Sequence, residues 1–185
     1  MTAGDLTTIA NVEQWLDLTA GCADEALLTR LITAASGFIR RWCDRDFVSQ
    51  SYTDSLDGKG GGRMPLPQQP ITAVSALVID GVTVPPGDPV STPGYYFTPT
   101  MLCLNGYRFA RGFGNVTVSY TAGYAVIPPE VEQACIELVA FRYREISRIG
   151  MASKAMAGET TSYVVRDMPP SVATLLAQLK KVVPV

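Results

Sequence analysis

Apolar residues along the chain change their period twice, and each change marks a new kind of element. In "DEALLTRLITAASGFIRRWCDRDF", Leu27, Leu28, Leu31, Ile32, Ala35, Phe38, Ile39 and Trp42 recur at the three-and-four spacing of one helix face. Asp24 and Glu25 fall in the first turn and Arg40 and Arg41 in the last, where the helix dipole favours acid and base respectively. An amphipathic helix is predicted here. Upstream, "NVEQWLDL" reads as a helical turn or two with Val12, Trp15 and Leu16 on one side.

From Phe47 to about Ile127 the period becomes two and turn residues multiply. "FVSQSYTDSL" and "RMPL" flank the Gly-rich "DGKGGG", and "AVSALVI" meets "VTV" across Asp80-Gly81, a favoured type I' hairpin pair. "YYFT", "MLCL" and "NVTVSYTAGY" follow, separated by Pro, Gly and Asn. Six or seven short strands of this kind predict an antiparallel sheet, sandwich or barrel.

Helical spacing then resumes. Pro128 and Pro129 open "PPEVEQACIELVAFRYREISRIG", where a first-turn proline is tolerated because those N–H groups lack partners anyway. Val131, Ala134, Cys135, Leu138, Val139, Ile146 and Ile149 make an apolar face, which Ile136, Ala140, Phe141 and Tyr143 extend around the cylinder. Such a helix needs cover on more than one side, either from its own domain or from a neighbouring subunit. A last proline-started helix, "PPSVATLLAQLKKVVPV", carries Val172, Leu175, Leu176, Leu179 and Val183 on one stripe.

The expected fold class is α+β. Residues 1–46 and 128–185 form a small helical bundle, and residues 47–127 form an inserted antiparallel β-sheet or sandwich lobe. Between the last two helices lies "GMASKAMAGETTSYVVRDMPP", too polar for a core element and longer than the roughly 2 to 8 residues that usually join helices. Residues 150–168 are therefore either an interaction arm or a surface tether. As an arm, its small apolar residues would lie against a neighbour while "TSYVV" adds a strand to a sheet edge.

Composition sharpens this picture at three points. Charged residues are only 17% of the chain against a usual share of about 25%, which hints at surface hidden in an assembly. The net charge of -2 argues against a general phosphate binder, and the cations are eleven Arg to four Lys, the skew of protein interfaces. Cys22, Cys43, Cys103 and Cys135 show no CxxC spacing and the chain has no His, so buried free thiols in a reducing cytoplasm are expected rather than a zinc site. No secretory signal and no run long enough to span a membrane are visible.

Candidate chemistry is sparse. Without His, Ser-His and Cys-His nucleophile pairs are excluded. Asp44 and Asp46 in "CDRDF", and Asp54 and Asp57 in "YTDSLDG", are the carboxylates a divalent metal would need for hydrolysis, but each pair sits where solvated turn carboxylates belong. "DGKGGGR" has the Gly and Lys of a phosphate loop but not its GxxxxGK[ST] spacing or following helix. It reads as a hairpin tip that would sooner meet a protein or DNA than a nucleotide. "RFARGFGNVTVSY" interleaves Arg108 and Arg111 with Tyr107, Phe109 and Phe113, as single-strand binders do, although aromatics closing one end of a sandwich give the same pattern.

Four stretches, in order, carry a resemblance: "DEALLTRLITAASGFIRRWCDRDF", "GGGRMPLPQQPITAVSALVIDG", "NVTVSYTAGYAVIPPEVEQACIELVAFRYREISRIG" and "SKAMAGETTSYVVRDMPPSV". They resemble the head-tail connector (head-completion adaptor) proteins of tailed bacteriophages, from about Asp24 to Val183, most specifically in "YTAGYAVIPPEVEQACIELVA" and "SKAMAGETTSYV". The resemblance implies a structural protein of the virion neck with no catalytic residues, cofactor or metal, assembled in the host cytoplasm. Its partners would be about a dozen copies of itself in a ring, the portal protein, and a stopper or tail terminator protein, with genomic double-stranded DNA passing through the lumen without sequence-specific binding.

On that basis Ser153, Lys154, Met156, Glu159, Thr160, Ser162 and Tyr163 are expected in an inter-subunit loop, and Leu179, Lys180, Lys181, Val182, Val183, Pro184 and Val185 in a portal-binding tail. A monomer of this mass would expose about 8,700 Å². Two ring contacts and one axial contact, each covering about 800 Å² per side, would hide about a quarter of it. The alternatives are a tail-terminator or stopper ring subunit and, more remotely, a metal-dependent hydrolase.

Overall fold

Thr8 and Asp24 start the first two helices by the same device, a side-chain oxygen accepting a backbone N–H three residues on, from Asn11 and Leu27 respectively. The helices are α1 (Ile9–Leu16) and α2 (Glu25–Cys43), ended by Asp17 and Asp44 in the left-handed region. The computed structural model describes residues 4–19, 24–146, 153–156, 159–162 and 168–180. The chain divides into two compact units: a helical unit, Met1–Arg45 with Ile127–Val185, and a β unit, Asp46–Val126.

In the helical unit, α3 (Pro129–Glu145) packs against α1, α2 and α4 (Pro170–Ala177). Val131, Ala134, Cys135, Ile136, Leu138, Val139 and Ala140 are all buried, so the cover that α3 requires comes from its own chain. The buried stripe of α2 is narrower than its apolar pattern: Leu28, Ile32, Ala35, Ser36, Ile39 and Cys43 face inward, while Trp42 stays 43% exposed. Helix α4 is shorter than its pattern. After Ala177 the chain closes a turn in which the Leu179 N–H bonds the Leu176 carbonyl, and Val183 lies outside the described residues.

The stretch before α1 has no periodic signal, yet it is fixed by polar contacts. The buried Leu6 N–H donates to Ser36 Oγ at 3.0 Å, and Thr33 Oγ1 donates to Asp5 Oδ1 at 3.0 Å. Thr7 Oγ1 donates to Glu132 Oε1 at 3.4 Å, an oxygen that also accepts Asn11 Nδ2 of α1 at 2.6 Å. These bonds tie the segment to α2 and α3 and satisfy groups that burial would otherwise leave costly.

The β unit holds seven strands: β1 (Gln50–Gly58), β2 (Arg63–Pro65), β3 (Ile71–Ile79), β4 (Val82–Thr83), β5 (Gly94–Phe97), β6 (Met101–Asn105) and β7 (Gly112–Ala122). They form an antiparallel four-stranded sheet, β1-β7-β3-β4, and a three-stranded sheet, β2-β6-β5. Leu77, Val116, Val118 and Tyr120 of the first share one core with Met64, Tyr95 and Leu102 of the second, which makes the lobe a sandwich. The alternation of β7 is the reason for its central place: Val116, Val118, Tyr120 and Ala122 are buried on one face. Asp80 and Gly81, at φ 50 and 80, make the tight β3–β4 turn. At the start of the unit Phe47 stacks on Tyr124, and the Gly123 N–H bonds the Pro70 carbonyl.

Tyr120 supplies a polar link through this core, beside the Tyr95 hydroxyl, which donates to the Val74 carbonyl at 3.2 Å. The Tyr120 hydroxyl donates to Asp54 Oδ2 at 2.7 Å and accepts the Gln68 N–H at 3.2 Å. Tyr120→Phe should cost the β unit about 1–2 kcal/mol, the penalty for leaving a partly buried N–H without its acceptor, as read by chemical denaturation. Burial and the bond to Asp54 push the Tyr120 phenol well above its ordinary value. The unfolded chain therefore loses this proton near pH 10 while the folded one keeps it. Stability is complete below about pH 10 and falls above it, and Tyr120→Phe should fall less steeply over the same range.

Candidate interaction surfaces

The arm between α3 and α4 contains a hairpin, not the single strand that "TSYVV" suggests. β8 (Ser153–Met156) runs antiparallel to β9 (Glu159–Ser162), pairing Ser153 with Ser162, Lys154 with Thr161, Ala155 with Thr160 and Met156 with Glu159. Ser153, Lys154, Met156, Glu159, Thr160 and Ser162 thus share one two-stranded ribbon, and Tyr163 lies outside the described residues. Neither outer edge of the ribbon has a strand partner among the described residues. A lone two-stranded ribbon is marginal in water, and its edges can pair with another strand.

At the chain's other candidate site, Leu179 and Lys180 are held against the end of α2. Arg45 Nη1 donates to the Leu179 carbonyl at 3.4 Å, and Lys180 Nζ lies 5.5 Å from the Trp42 ring centroid. Trp42 stacks on Phe38 at 6.0 Å, and the Arg142 guanidinium sits 5.2 Å over Phe38. Two cations and two rings thus form a surface platform, each contact stabilising by about 0.5–1 kcal/mol at an exposed site. The spacing of Phe38 and Trp42, four residues apart on a helix, was the available signal, but their cations come from distant segments. Lys181, Val182, Val183, Pro184 and Val185 lie outside the described residues.

Trp15, on the same side of α1 as Val12 and Leu16 by its spacing, is 49% exposed. It lines a groove of about 590 Å³ with Ala140, Phe141 and Pro169, bordered by Glu137 and Arg144. Glu137 is held there by bonds from Gln133 Nε2 (3.1 Å) and Ser171 Oγ (2.9 Å). An apolar floor with a fixed polar rim is the anatomy of a protein interface.

The four candidate carboxylates have structural duties. Asp44 ends α2; Asp46 Oδ2 accepts the Tyr52 hydroxyl at 3.0 Å; Asp54 accepts that of Tyr120; and Asp57 Oδ1 accepts the Gly114 N–H at 2.6 Å. Among the described residues no group of three or more His, Cys, Asp or Glu is placed to hold a metal ion. No described helix is long and apolar enough to cross a membrane. The basic-aromatic stretch divides: Phe109 is buried in the sandwich core, whereas Tyr107 and Phe113 are 40% and 97% exposed.

Comparison with known proteins bears on the whole chain. A family model described as head completion protein matches residues 5–182. Chains of the same fold occur in the neck of an empty gene transfer agent particle computed with C6 symmetry, at 23% identity over 100% of this chain and 94% of that one, TM-score 0.65. They occur also in the neck of a native particle computed with C12 symmetry, at 22% identity over 96% and 90% of the two chains, TM-score 0.61. A third is in the virion of a native gene transfer agent particle, at 22% identity over 100% and 94%, TM-score 0.62. No curated protein matches the sequence.

Proposed function

Since the chain belongs to the head completion protein family, we propose that it is a structural head-tail connector subunit, forming a ring in the virion neck beneath the portal. The family match across residues 5–182 carries this reading. The C6 and C12 symmetries of the necks that hold chains of this fold support a closed ring of about a dozen copies. The chain acts by assembly and not by catalysis: it oligomerises, binds the portal, and offers a docking plane to a stopper or tail terminator protein. Genomic double-stranded DNA passes through the lumen. Assembly takes place in the host cytoplasm.

Within the ring, the β8–β9 ribbon is the inter-subunit arm, because its open edges gain backbone hydrogen bonds on meeting a neighbour's strand. Residues from Leu179 onward are the portal contact. Their first two members are anchored on α2, so the remainder starts from a fixed point.

Native mass spectrometry of the protein alone and with a portal tests both parts. Replacing Ser153 to Thr160 by a Gly-Ser linker should leave the monomer folded and reduce ring species several-fold. Deleting Lys180 to Val185 should abolish portal binding while rings persist. Undiminished rings would reduce the arm to a tether, and undiminished portal binding by the truncated chain would refute the assignment of the tail. Pull-down against tail proteins instead of the portal would identify a tail terminator or stopper.

A further inference from the structure

Every cation of the β unit, Lys59, Arg63, Arg108 and Arg111, lies at one end of the sandwich. They come from two stretches far apart in sequence that the fold joins, Arg63 standing at the start of β2. The Gly60 N–H donates to the Phe109 carbonyl at 2.6 Å and the Phe109 N–H to the Gly61 carbonyl at 2.9 Å. A Cβ added to Gly60 would lie 3.3 Å from the Arg111 side chain. The two stretches that separately hinted at anion binding, "DGKGGGR" and "RFARGF", are therefore one surface.

The charges at this end are sorted. Asp57 accepts the Gly114 N–H, Asp80 Oδ1 accepts Asn115 Nδ2 at 2.9 Å, and Asp88 accepts the N–H groups of Val90 (2.8 Å), Ser91 (2.6 Å) and Thr92 (3.0 Å). The bonds from Ser91 and Val90 hold the Asp88 carboxyl well below the usual carboxylate range. All four cations, by contrast, are exposed, and among the described residues none makes a hydrogen bond or ion pair. Lys59 and Arg63 border a cleft of about 220 Å³ floored by Leu56, Met64 and Phe109, which Asp57 also lines while its carboxylate accepts the Gly114 N–H, with no side chain on Gly60, Gly61 and Gly62. The exposed rings of Tyr107 and Phe113 belong to the second stretch and to the start of β7 respectively.

We propose that this end of the β unit is a contact for the phosphodiester backbone of DNA, with Lys59, Arg63, Arg108 and Arg111 meeting phosphates. Repeating phosphates suit four separate, unpaired cations around a bare glycine backbone better than the single carboxylate of an acidic side chain does. Tyr107 and Phe113 add ring faces on which an unpaired base can stack. The inference concerns one chain and goes beyond ring assembly, which it does not require.

Fluorescence anisotropy of the full chain with a labelled duplex, and with a single strand of equal length, tests it across a salt series. The logarithm of the binding constant should fall with the logarithm of salt at a slope of about -3 to -4 for four phosphate contacts. Tighter binding of the single strand would show the rings engaged, and tighter binding of the duplex would show phosphates alone; either supports the contact. Arg108→Glu with Arg111→Glu should weaken binding more than about tenfold and flatten the slope by about two. Arg30→Glu with Arg41→Glu, the same charge change on exposed positions of α2, should leave it within about twofold of the starting value. Arg108→Gln with Arg111→Gln, milder for folding and checked by circular dichroism, should give an intermediate loss. Absence of salt-dependent binding, an unchanged affinity in the reversed variant, or equally tight capture of a polyglutamate peptide would overturn the proposal. Native mass spectrometry reads ring formation separately, so either reading can fail while the other stands.

Discussion

Gly123→Ala is expected to destabilise the β unit by more than about 2 kcal/mol, because two independent costs coincide at this position. The backbone of Gly123 has φ +111, a conformation that L side chains rarely adopt. A Cβ there would also stand 2.4 Å from the Val48 carbonyl oxygen, and that oxygen belongs to backbone that cannot swing aside as a flexible side chain would. The neighbouring contacts deepen the constraint: Tyr124, the next residue, bonds the Phe47 carbonyl and stacks on Phe47. Gly81→Ala is the matched comparison. Gly81 has φ +80 with nothing within 4 Å of an added Cβ, so it carries conformational strain of about 1 kcal/mol without the collision. Urea unfolding followed by tyrosine near-ultraviolet dichroism measures both. Equal losses for the two variants would mean that the strand beside Gly123 yields easily, contrary to its bonding.

Leu138→Ala should cost the helical unit about 3–5 kcal/mol, the upper part of the range for a buried leucine. Leu138 is fully buried on α3, the helix that α1, α2 and α4 all pack against. A side chain boxed in by several helices leaves a cavity that no single one can close by moving, and the cost rises with the volume that stays empty. Both tryptophans of the chain, Trp15 and Trp42, belong to the helical unit, so tryptophan fluorescence follows this loss without interference from the β unit. An unfolding midpoint shifted by less than about 1 kcal/mol equivalent would show that the bundle collapses around the gap.

Most of the architecture is legible in the order of periods. The three-and-four spacing with Asp24 in front places α2, and period two with Asp80-Gly81 places the β3–β4 hairpin, because both signals are local. What escaped is long-range. Trp15 and Trp42 sit on apolar patterns yet face outward, since period gives the phase of a face but not the width of the partner that covers it. α4 stops at Ala177 although the apolar stripe continues, because its buried stripe needs only Val172 and Leu176. The β8–β9 ribbon escaped because Ser, Lys, Glu and Thr offer no alternation of burial to read. The union of the two cation-bearing stretches follows from β1 pairing with β7 and β2 with β6, which no local residue pattern announces.

Cys43, Cys103 and Cys135 are free and buried, and Cys22 lies outside the described residues. Burial pushes the Cys135 thiol up to about 11 and raises that of Cys43 as well. Oxidation and alkylation proceed through the thiolate, which at neutral pH is then about one part in ten thousand of Cys135. A structural protein of a virion in aerated water meets oxygen, peroxide and foreign disulfides. For the sulfurs of Cys43 and Cys135, whose thiols burial holds protonated, that exposure is chemically slow.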